Sequence, residues 1–255
     1  MVDPTRKRTV HVEGNIGAGK SELLRLLSSL DDVGVVPEPV ENWSYFRGIN
    51  ALQLLYDDPK KNGYPFQLLV MSTLAMRKSP SGKRINIFER SIQSSFSCFG
   101  KHLRNQGLLS DLEFGTLDEV RNMIEAKLVG KMDVVIYLNV TPELAMDRIM
   151  QRNRPEEKNV QLSFLESLGQ LYDEWIGTLV SQNKEVFIVD ANRPLMEVAN
   201  ECYKIIGELN QREDLKDTVM SQDWDLPEIT PCGLRLARHV SPLPDIEDCC
   251  KVKTK

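Results

Sequence analysis

The sequence predicts a doubly wound α/β fold: a five-stranded parallel sheet flanked by helices. Five short strand candidates, at 8–13, 33–37, 84–88, 133–139 and 184–190, alternate with stretches of helical periodicity. Four of the five are apolar runs rich in Val and Ile, as strands buried on both faces should be. Successive strands start about 25 residues apart or more, enough for the crossover helix that a parallel pair requires. In such a sheet the ligand belongs at the carboxyl ends of the strands. A chain of 255 residues can bury a sizeable core in one large domain.

The first element carries the most information. Thr9-Val10-His11-Val12-Glu13 reads as a strand and Glu22-Leu23-Leu24-Arg25-Leu26-Leu27 as the start of a helix. Between them lies Gly14-Asn15-Ile16-Gly17-Ala18-Gly19-Lys20-Ser21. This G-x-x-x-x-G-K-S between strand and helix is the phosphate-binding loop, or P-loop, pattern. Its glycines let several backbone N–H groups turn into one concavity. Lys20 is expected to reach the outer phosphates of a nucleotide and the Ser21 hydroxyl to ligate Mg²⁺. The sheet is therefore of the P-loop NTPase type.

The second strand ends in Pro37-Glu38-Pro39-Val40-Glu41-Asn42-Trp43. Phosphoryl transfer to a hydroxyl needs a carboxylate that orients the hydroxyl and takes its proton, and Glu38 stands at a strand end where one is needed. Helical stretches at 63–77 and 92–105 lie on either side of the third strand, which runs into Glu89-Arg90-Ser91. Glu89 can hold Mg²⁺ directly or through water. Arg90 can neutralise the transferring phosphoryl group, or else form an ion pair with Glu89. A helix at 116–129 precedes the fourth strand.

The helix at 141–151 opens on Thr141-Pro142-Glu143, an N-cap followed by proline at the first turn. Arg148 and Arg152 share its face at a spacing of four, with Arg154 just beyond and Pro155 ending the segment. Three guanidiniums there suit an Arg-rich lid, about 148–158, that closes over phosphates. Helices at 160–179 and 195–210 complete a domain expected to span residues 1–211. Beyond it, Pro227, Pro231, Pro242 and Pro244 break up the chain, so 212–255 is expected to be a mostly irregular or disordered tail.

Composition bounds the partners. A net charge of −5 leaves no electrostatic footprint for nucleic acid or an anionic membrane. No apolar run approaches the ~18 residues of a membrane span. Five scattered cysteines without a C-x-x-C pair suit a reducing compartment. His11, His102 and His239 lack metal-ligand spacing. The first strand begins too early for a signal or transit peptide, so a cytoplasmic protein is expected, or a mitochondrial one if such a peptide has been removed.

Several separated motifs together resemble the deoxyribonucleoside kinase family, the group of the insect multisubstrate kinase, mitochondrial thymidine kinase, deoxycytidine kinase and deoxyguanosine kinase. They are Glu-Gly-Asn-Ile-Gly-Ala-Gly-Lys-Ser, Glu-Pro-Val-Glu-Asn-Trp, Tyr-x-x-Pro-x-x-x-x-x-Pro-Phe-Gln, Glu-Arg-Ser, the R-x-x-x-R-x-R lid and Val-Asp-Ala-Asn. The likeness implies ATP as phosphate donor with Mg²⁺, a small-molecule deoxynucleoside as acceptor, and a homodimer. It makes Glu38 the base that activates the 5′-hydroxyl, Arg90 the group holding that oxygen, and Glu89 the magnesium partner of Ser21. Tyr56 and Glu157 would bond the sugar 3′-hydroxyl and Gln67 would read the base edge. Phe99 would stack on the base, with Trp43 and Val70 lining the slot. Arg148, Arg152 and Arg154 would be the lid, and Asp190, Ala191, Asn192 and Arg193 would lie near adenine.

Two departures bear on specificity. Where many relatives continue the Glu-Arg-Ser segment with Ala-Arg or Asp-Arg, this chain has Ser95-Phe96, and the arginine that favours purines is replaced by Leu74. An apolar wall accommodates the thymine methyl and offers a purine no charged partner, so thymidine and deoxycytidine are the expected substrates. The competing expectations are a thymidylate-type monophosphate kinase, which would need cations where Glu38 stands, and a catalytically silent structural subunit.

Overall fold

The computed structural model describes residues 7–129 and 132–211. Strands β1 (Arg8–Gly14), β2 (Val33–Val36), β3 (Ile85–Glu89), β4 (Val134–Asn139) and β5 (Glu185–Asp190) form one sheet in the order β2-β3-β1-β4-β5. Every pairing is parallel. Each strand lies within one residue of its sequence-based bounds. The chain runs out from β1 to β2, returns to β3, then crosses β1 to reach β4. That reversal brings the carboxyl ends of three strands together: Val12 pairs with Glu89, and Gly14 with Leu138.

Strand alternation assigns the two faces. Val134, Ile136 and Leu138 of β4 join Val10 and Val12 of β1 in a core closed by α1 (Lys20–Leu27), α8 (Pro142–Arg152) and α10 (Leu195–Gln211). Val135 and Tyr137 point the other way, against Leu168, Tyr172, Trp175 and Ile176 of α9 (Leu162–Ser181). A third cluster joins α4 (Pro59–Ala75) to α7 (Asp111–Ile124) around Met71, Leu74 and Leu117.

The helices depart from expectation at five places. The helix expected at 116–129 begins at Asp111, because Ser110 and Glu113 form a capping box, and its last stretch, Glu125–Val129, is π-helical. Two short helices, α2 (Val40–Ser44) and α3 (Ala51–Asp57), fill a stretch that shows no long period. α4 begins four residues before 63, because the Asp58 side chain accepts from the Lys61 N–H and Pro59 occupies the first turn. The rod at 92–105 is α5 (Ile92–Ser94) and α6 (Lys101–Asn105) joined by a π-helical segment, Ser95–Gly100. Thr141 takes the N-cap position of α8 with Pro142 after it, but its side chain makes no capping bond. The tail expected over 212–255 lies outside the described residues.

Candidate active site

The P-loop wraps the end of β1 and is fixed by backbone geometry. A side chain at Gly14, where φ is +146°, would meet the Leu138 carbonyl oxygen at 2.7 Å, and one at Gly17 would run into the Ala145 carbonyl of α8. Asn15 pins the loop to the far layer by donating from Nδ2 to the Leu165 carbonyl at 2.8 Å. Ile16 N–H closes on the Asn15 side chain, and Ala18 N–H on the Asn15 carbonyl. Gly19, in the left-handed region, turns the chain into α1.

Lys20 lies under this loop, where Nζ donates to the Gly14 and Asn15 carbonyls at 3.0 and 2.8 Å. Burial, helped by nearby Arg90, pushes its pKa down to about 7 against the pull of Glu89, Glu38 and Glu13.

Residues at or beyond the carboxyl ends of β1, β2 and β3 meet in one group of hydrogen bonds and an ion pair. Ser21 Oγ donates to Glu89 Oε1 at 2.8 Å. The other oxygen of Glu89 accepts from the Glu38 backbone N–H at 3.4 Å. Arg90 Nε stands 2.8 Å from Glu38 Oε1, an ion pair in which the N–H does not point well at the oxygen. The alternative of a Glu89–Arg90 ion pair is not formed: Arg90 pairs with Glu38, while Glu89, the last residue of β3, turns towards Ser21. Arg90 Nη1 donates to Tyr172 Oη at 2.5 Å and to the Gly14 carbonyl at 3.2 Å. Burial works to strip this guanidinium of its charge, but Glu38, Glu13 and Glu89 outweigh it and hold the pKa above the ordinary arginine value. Glu13 is fully buried beside Ser91 and Arg90, and burial drives its carboxyl up to about 7.

A cleft of about 340 Å³ opens over this group. One end is phosphate-loop backbone, Lys20 and Ser21; the other is an aromatic and apolar slot with Trp43, Tyr56, Gln67, Val70, Leu74 and Phe99. Trp43 is steered by a 2.9 Å bond from Nε1 to Thr73 Oγ1. Gln67 is almost fully buried, and its Oε1 accepts from Ser95 Oγ at 3.0 Å. The Arg90 guanidinium sits 4.8 Å from the centre of the Phe99 ring, a cation–π contact at the floor of the slot. Phe96 is not part of the cleft lining; it stacks on Phe114 and carries Arg121 over its ring.

The lid divides. Arg152 Nη2 reaches both carboxylate oxygens of Glu157 at 2.7 and 2.8 Å, and Arg154 Nη1 reaches one at 3.1 Å. All three residues line the cleft. Tyr56 faces the same space, its hydroxyl pKa raised by burial and by Glu157. Arg148 lies elsewhere: Nη2 donates to the Ala191 carbonyl at 2.9 Å, while Nη1 is 3.5 Å from the Gly17 and Ala18 carbonyls. It links the loop to the turn after β5, where Asn192 bonds Asp190 and receives the Thr141 N–H, and Arg193 pairs with Glu201. The residues at 190–193 thus stand beside the phosphate loop and outside the cleft lining.

Sequence reasoning missed three contributors. Tyr172, on α9, reaches Arg90 from 82 positions away. Asn50 fixes Glu156 through a 2.8 Å bond and so steadies the segment that presents Glu157. Arg77 bonds the carbonyls of Glu89 and Arg90. None of the three sits in a motif that could have announced it.

A phosphate loop, a carboxylate–arginine pair and a buried amide in an aromatic slot are the parts of a nucleoside-phosphorylating site. The family model for deoxynucleoside kinase matches residues 10–212. The chain belongs to the deoxynucleoside kinase family. Human mitochondrial thymidine kinase 2 is 33% identical over 190 residues, 73% of this chain and 72% of that protein. Chicken deoxycytidine kinase 2 is 31% identical over 252 residues, 88% and 89% of the two chains. The mitochondrial deoxyguanosine kinase of Xenopus laevis is 32% identical over 193 residues, 66% and 73%. The protein is therefore an ATP-dependent deoxynucleoside kinase. No helix among the described residues is long and apolar enough to cross a membrane.

Proposed function

We propose that this kinase transfers the γ-phosphoryl group of Mg²⁺-ATP to the 5′-hydroxyl of deoxynucleosides, with thymidine and deoxycytidine as its best acceptors. The observation that carries the reading is the Glu38–Arg90 pair, set between the phosphate loop and the aromatic slot. Glu38 takes the proton of the 5′-hydroxyl as that oxygen bonds to the γ-phosphorus and the bond to the β-phosphate oxygen breaks. Arg90 holds the attacking oxygen and spreads the developing charge, and Lys20 does so from the loop side. The Ser21 hydroxyl and the Glu89 carboxylate, 2.8 Å apart, are hard oxygen donors of the kind that hold Mg²⁺ with waters and phosphate. When bound, the ion would neutralise charge on the phosphates.

Tyr56 and Glu157 are read as the sugar 3′-hydroxyl site, with Phe99 and Trp43 about the base. Arg152 and Arg154 are the lid arginines best placed for phosphates, whereas Arg148 braces the loop against the turn at 190–193, the adenine side. Gln67 reads the base. Its partner Ser95 is a hydroxyl that can donate or accept, so either orientation of the amide stays satisfied and both pyrimidines can be read. Leu74 gives the far wall no charge to meet a purine.

The kinase domain is read as residues 1–211 with its lid at about 148–158, and the family match ending at 212 supports that boundary. A homodimer is proposed on the family likeness, and the exposed Leu112 and Met123 of α7 offer apolar surface for one. A cytoplasmic location is favoured by the free thiols of Cys98 and Cys202.

Radiolabelled phosphate transfer from ATP to the four deoxynucleosides and thymidylate tests the assignment. Thymidine and deoxycytidine should lead. Burying a purine edge unpaired costs about 1–3 kcal/mol, so purines should trail by about one to two orders of magnitude in kcat/KM. A higher kcat/KM for deoxyguanosine than for thymidine would reverse the preference, and efficient transfer to thymidylate would make this a monophosphate kinase.

A further inference from the structure

Arg90 and Glu89 do their work from an awkward stretch of backbone. Arg90 has φ of +59°, a left-handed conformation that a long side chain adopts at a cost of about 1–3 kcal/mol unless its surroundings impose it. On one side the backbone is tied by the Arg90 N–H to the Val12 carbonyl at 3.0 Å. On the other side a single side chain holds both carbonyls. Arg77 Nη1 donates to the Glu89 carbonyl at 2.6 Å and Nη2 to the Arg90 carbonyl at 2.8 Å, the two prongs of one planar fork.

The fork itself is fixed from behind. Arg77 Nε is 3.3 Å from the Leu74 carbonyl at the end of α4. The guanidinium lies over the Phe88 ring at 5.1 Å, and His11 stacks on that ring at 5.6 Å. Burial lowers the Arg77 pKa to about 10, opposed by Glu38, Glu13 and Glu89, so it stays charged at neutral pH. It is absent from the cleft lining.

We infer that Arg77 is a positioning residue for phosphoryl transfer: its fork holds the Glu89–Arg90 turn in the strained form that aims Arg90 at Glu38 and Glu89 at Ser21. The inference rests on the roles given above to Glu38, Glu89 and Arg90. A guanidinium bonds the two successive carbonyls through two nitrogens held rigidly in one plane, which fixes their orientation as well as their distance. A lysine ammonium keeps the charge and can donate to a carbonyl, but from a single atom on a flexible stem that fixes no plane. The same fork also ties the end of the helix that bears Gln67 to the catalytic turn, so base slot and reacting atoms share one strut.

The test compares Arg77→Met, Arg77→Lys and Arg77→Ala in the full chain. Misplacing a catalytic group by about 1 Å costs about 10²-fold, so Arg77→Met should lower kcat by about 10- to 100-fold, with KM for thymidine and for ATP within about threefold of wild type. Arg77→Lys should fall between, which keeps the idea testable should Arg77→Met fail to fold. Added guanidinium ion should restore part of the Arg77→Ala turnover at concentrations too low to unfold the protein. If Arg77 acts through Arg90, Arg77→Met should cost little further in an Arg90→Met background. Three results would overturn the inference: kcat within twofold of wild type in Arg77→Met, full additivity of the two substitutions, or a loss seen only in thermal stability. Wild-type turnover in Arg90→Met would overturn the role given to Arg90 and the inference with it, whereas a large loss in Arg90→Met beside normal turnover in Arg77→Met would overturn the inference alone.

Discussion

Replacing Glu38 with Gln isolates the proton-accepting step. The substitution keeps the size of the side chain and a hydrogen-bonding oxygen beside Arg90, but removes the base and its charge. Arg90 is 6% exposed and keeps Glu89 as a nearby carboxylate, so it is not stranded as a lone buried charge. The stability loss should therefore be that of one charge-assisted contact, about 1.5–3 kcal/mol. In a domain of this size that lowers the melting temperature by about 3–12 °C. General-base catalysis contributes about 10²–10⁴-fold, so kcat for thymidine should fall by that factor. ATP binding should change little, because Lys20 and the loop amides are untouched. Steady-state kinetics at saturating ATP, with a nucleotide-binding titration and a thermal melt on the same sample, separate the three effects. Turnover within threefold of wild type would refute Glu38 as the base.

Two further outcomes follow from individual side chains. If Tyr56 and Glu157 form a site for the 3′-hydroxyl, 2′,3′-dideoxynucleosides should have a much lower kcat/KM than their parents, and Tyr56→Phe should narrow the gap; equal values for the two substrates in the wild type would count against that pocket. His11, buried on β1 with Nδ1 unpartnered, has its pKa lowered from 6.5 to about 3, by burial first and then by Arg77. The folded state thus binds fewer protons than the unfolded state between those values, and stability from this residue rises with pH from about 3 to 6.5. His11→Phe should gain on the wild type as pH falls through that window in paired thermal melts, and parallel curves would show that His11 is not the source.

The fold was legible because its signals are local. A strand, three glycines, a lysine and a helix lie within twenty residues, and the Val and Ile runs mark the other strands without reference to any partner. Residues that assemble the site across long separations were legible only as types. Glu38 and Arg90 read as acid and base at strand ends, yet their pairing depends on β2 and β3 lying side by side. Arg77 reads as a lone arginine at the end of a helix expected over 63–77, because nothing in its neighbours reveals two carbonyls twelve and thirteen residues on. The short α2 and α3 escaped because five and seven residues complete too few turns to set a period. The π segment at Ser95–Gly100 was invisible for the opposite reason: its apolar residues fit an ordinary helix, and only the backbone shows the wider turn.

The two substrate sites also share charges, and this limits how they can operate. Glu157, assigned to the sugar, holds both lid arginines assigned to phosphate. Its side chain is 4% exposed, and leaving such a carboxylate without any cation costs roughly 3–5 kcal/mol. Both arginines therefore do not leave together. Arg152 meets both oxygens of Glu157 and Arg154 only one, at the longer distance, so Arg154 is the cheaper to release towards a phosphate. A sugar hydroxyl that donates to Glu157 takes the place of the bond Arg154 gives up, which makes acceptor binding favour the freed lid arginine. If Glu157 meets the sugar 3′-hydroxyl as proposed, that bond would also favour the release of Arg154 towards the donor phosphates.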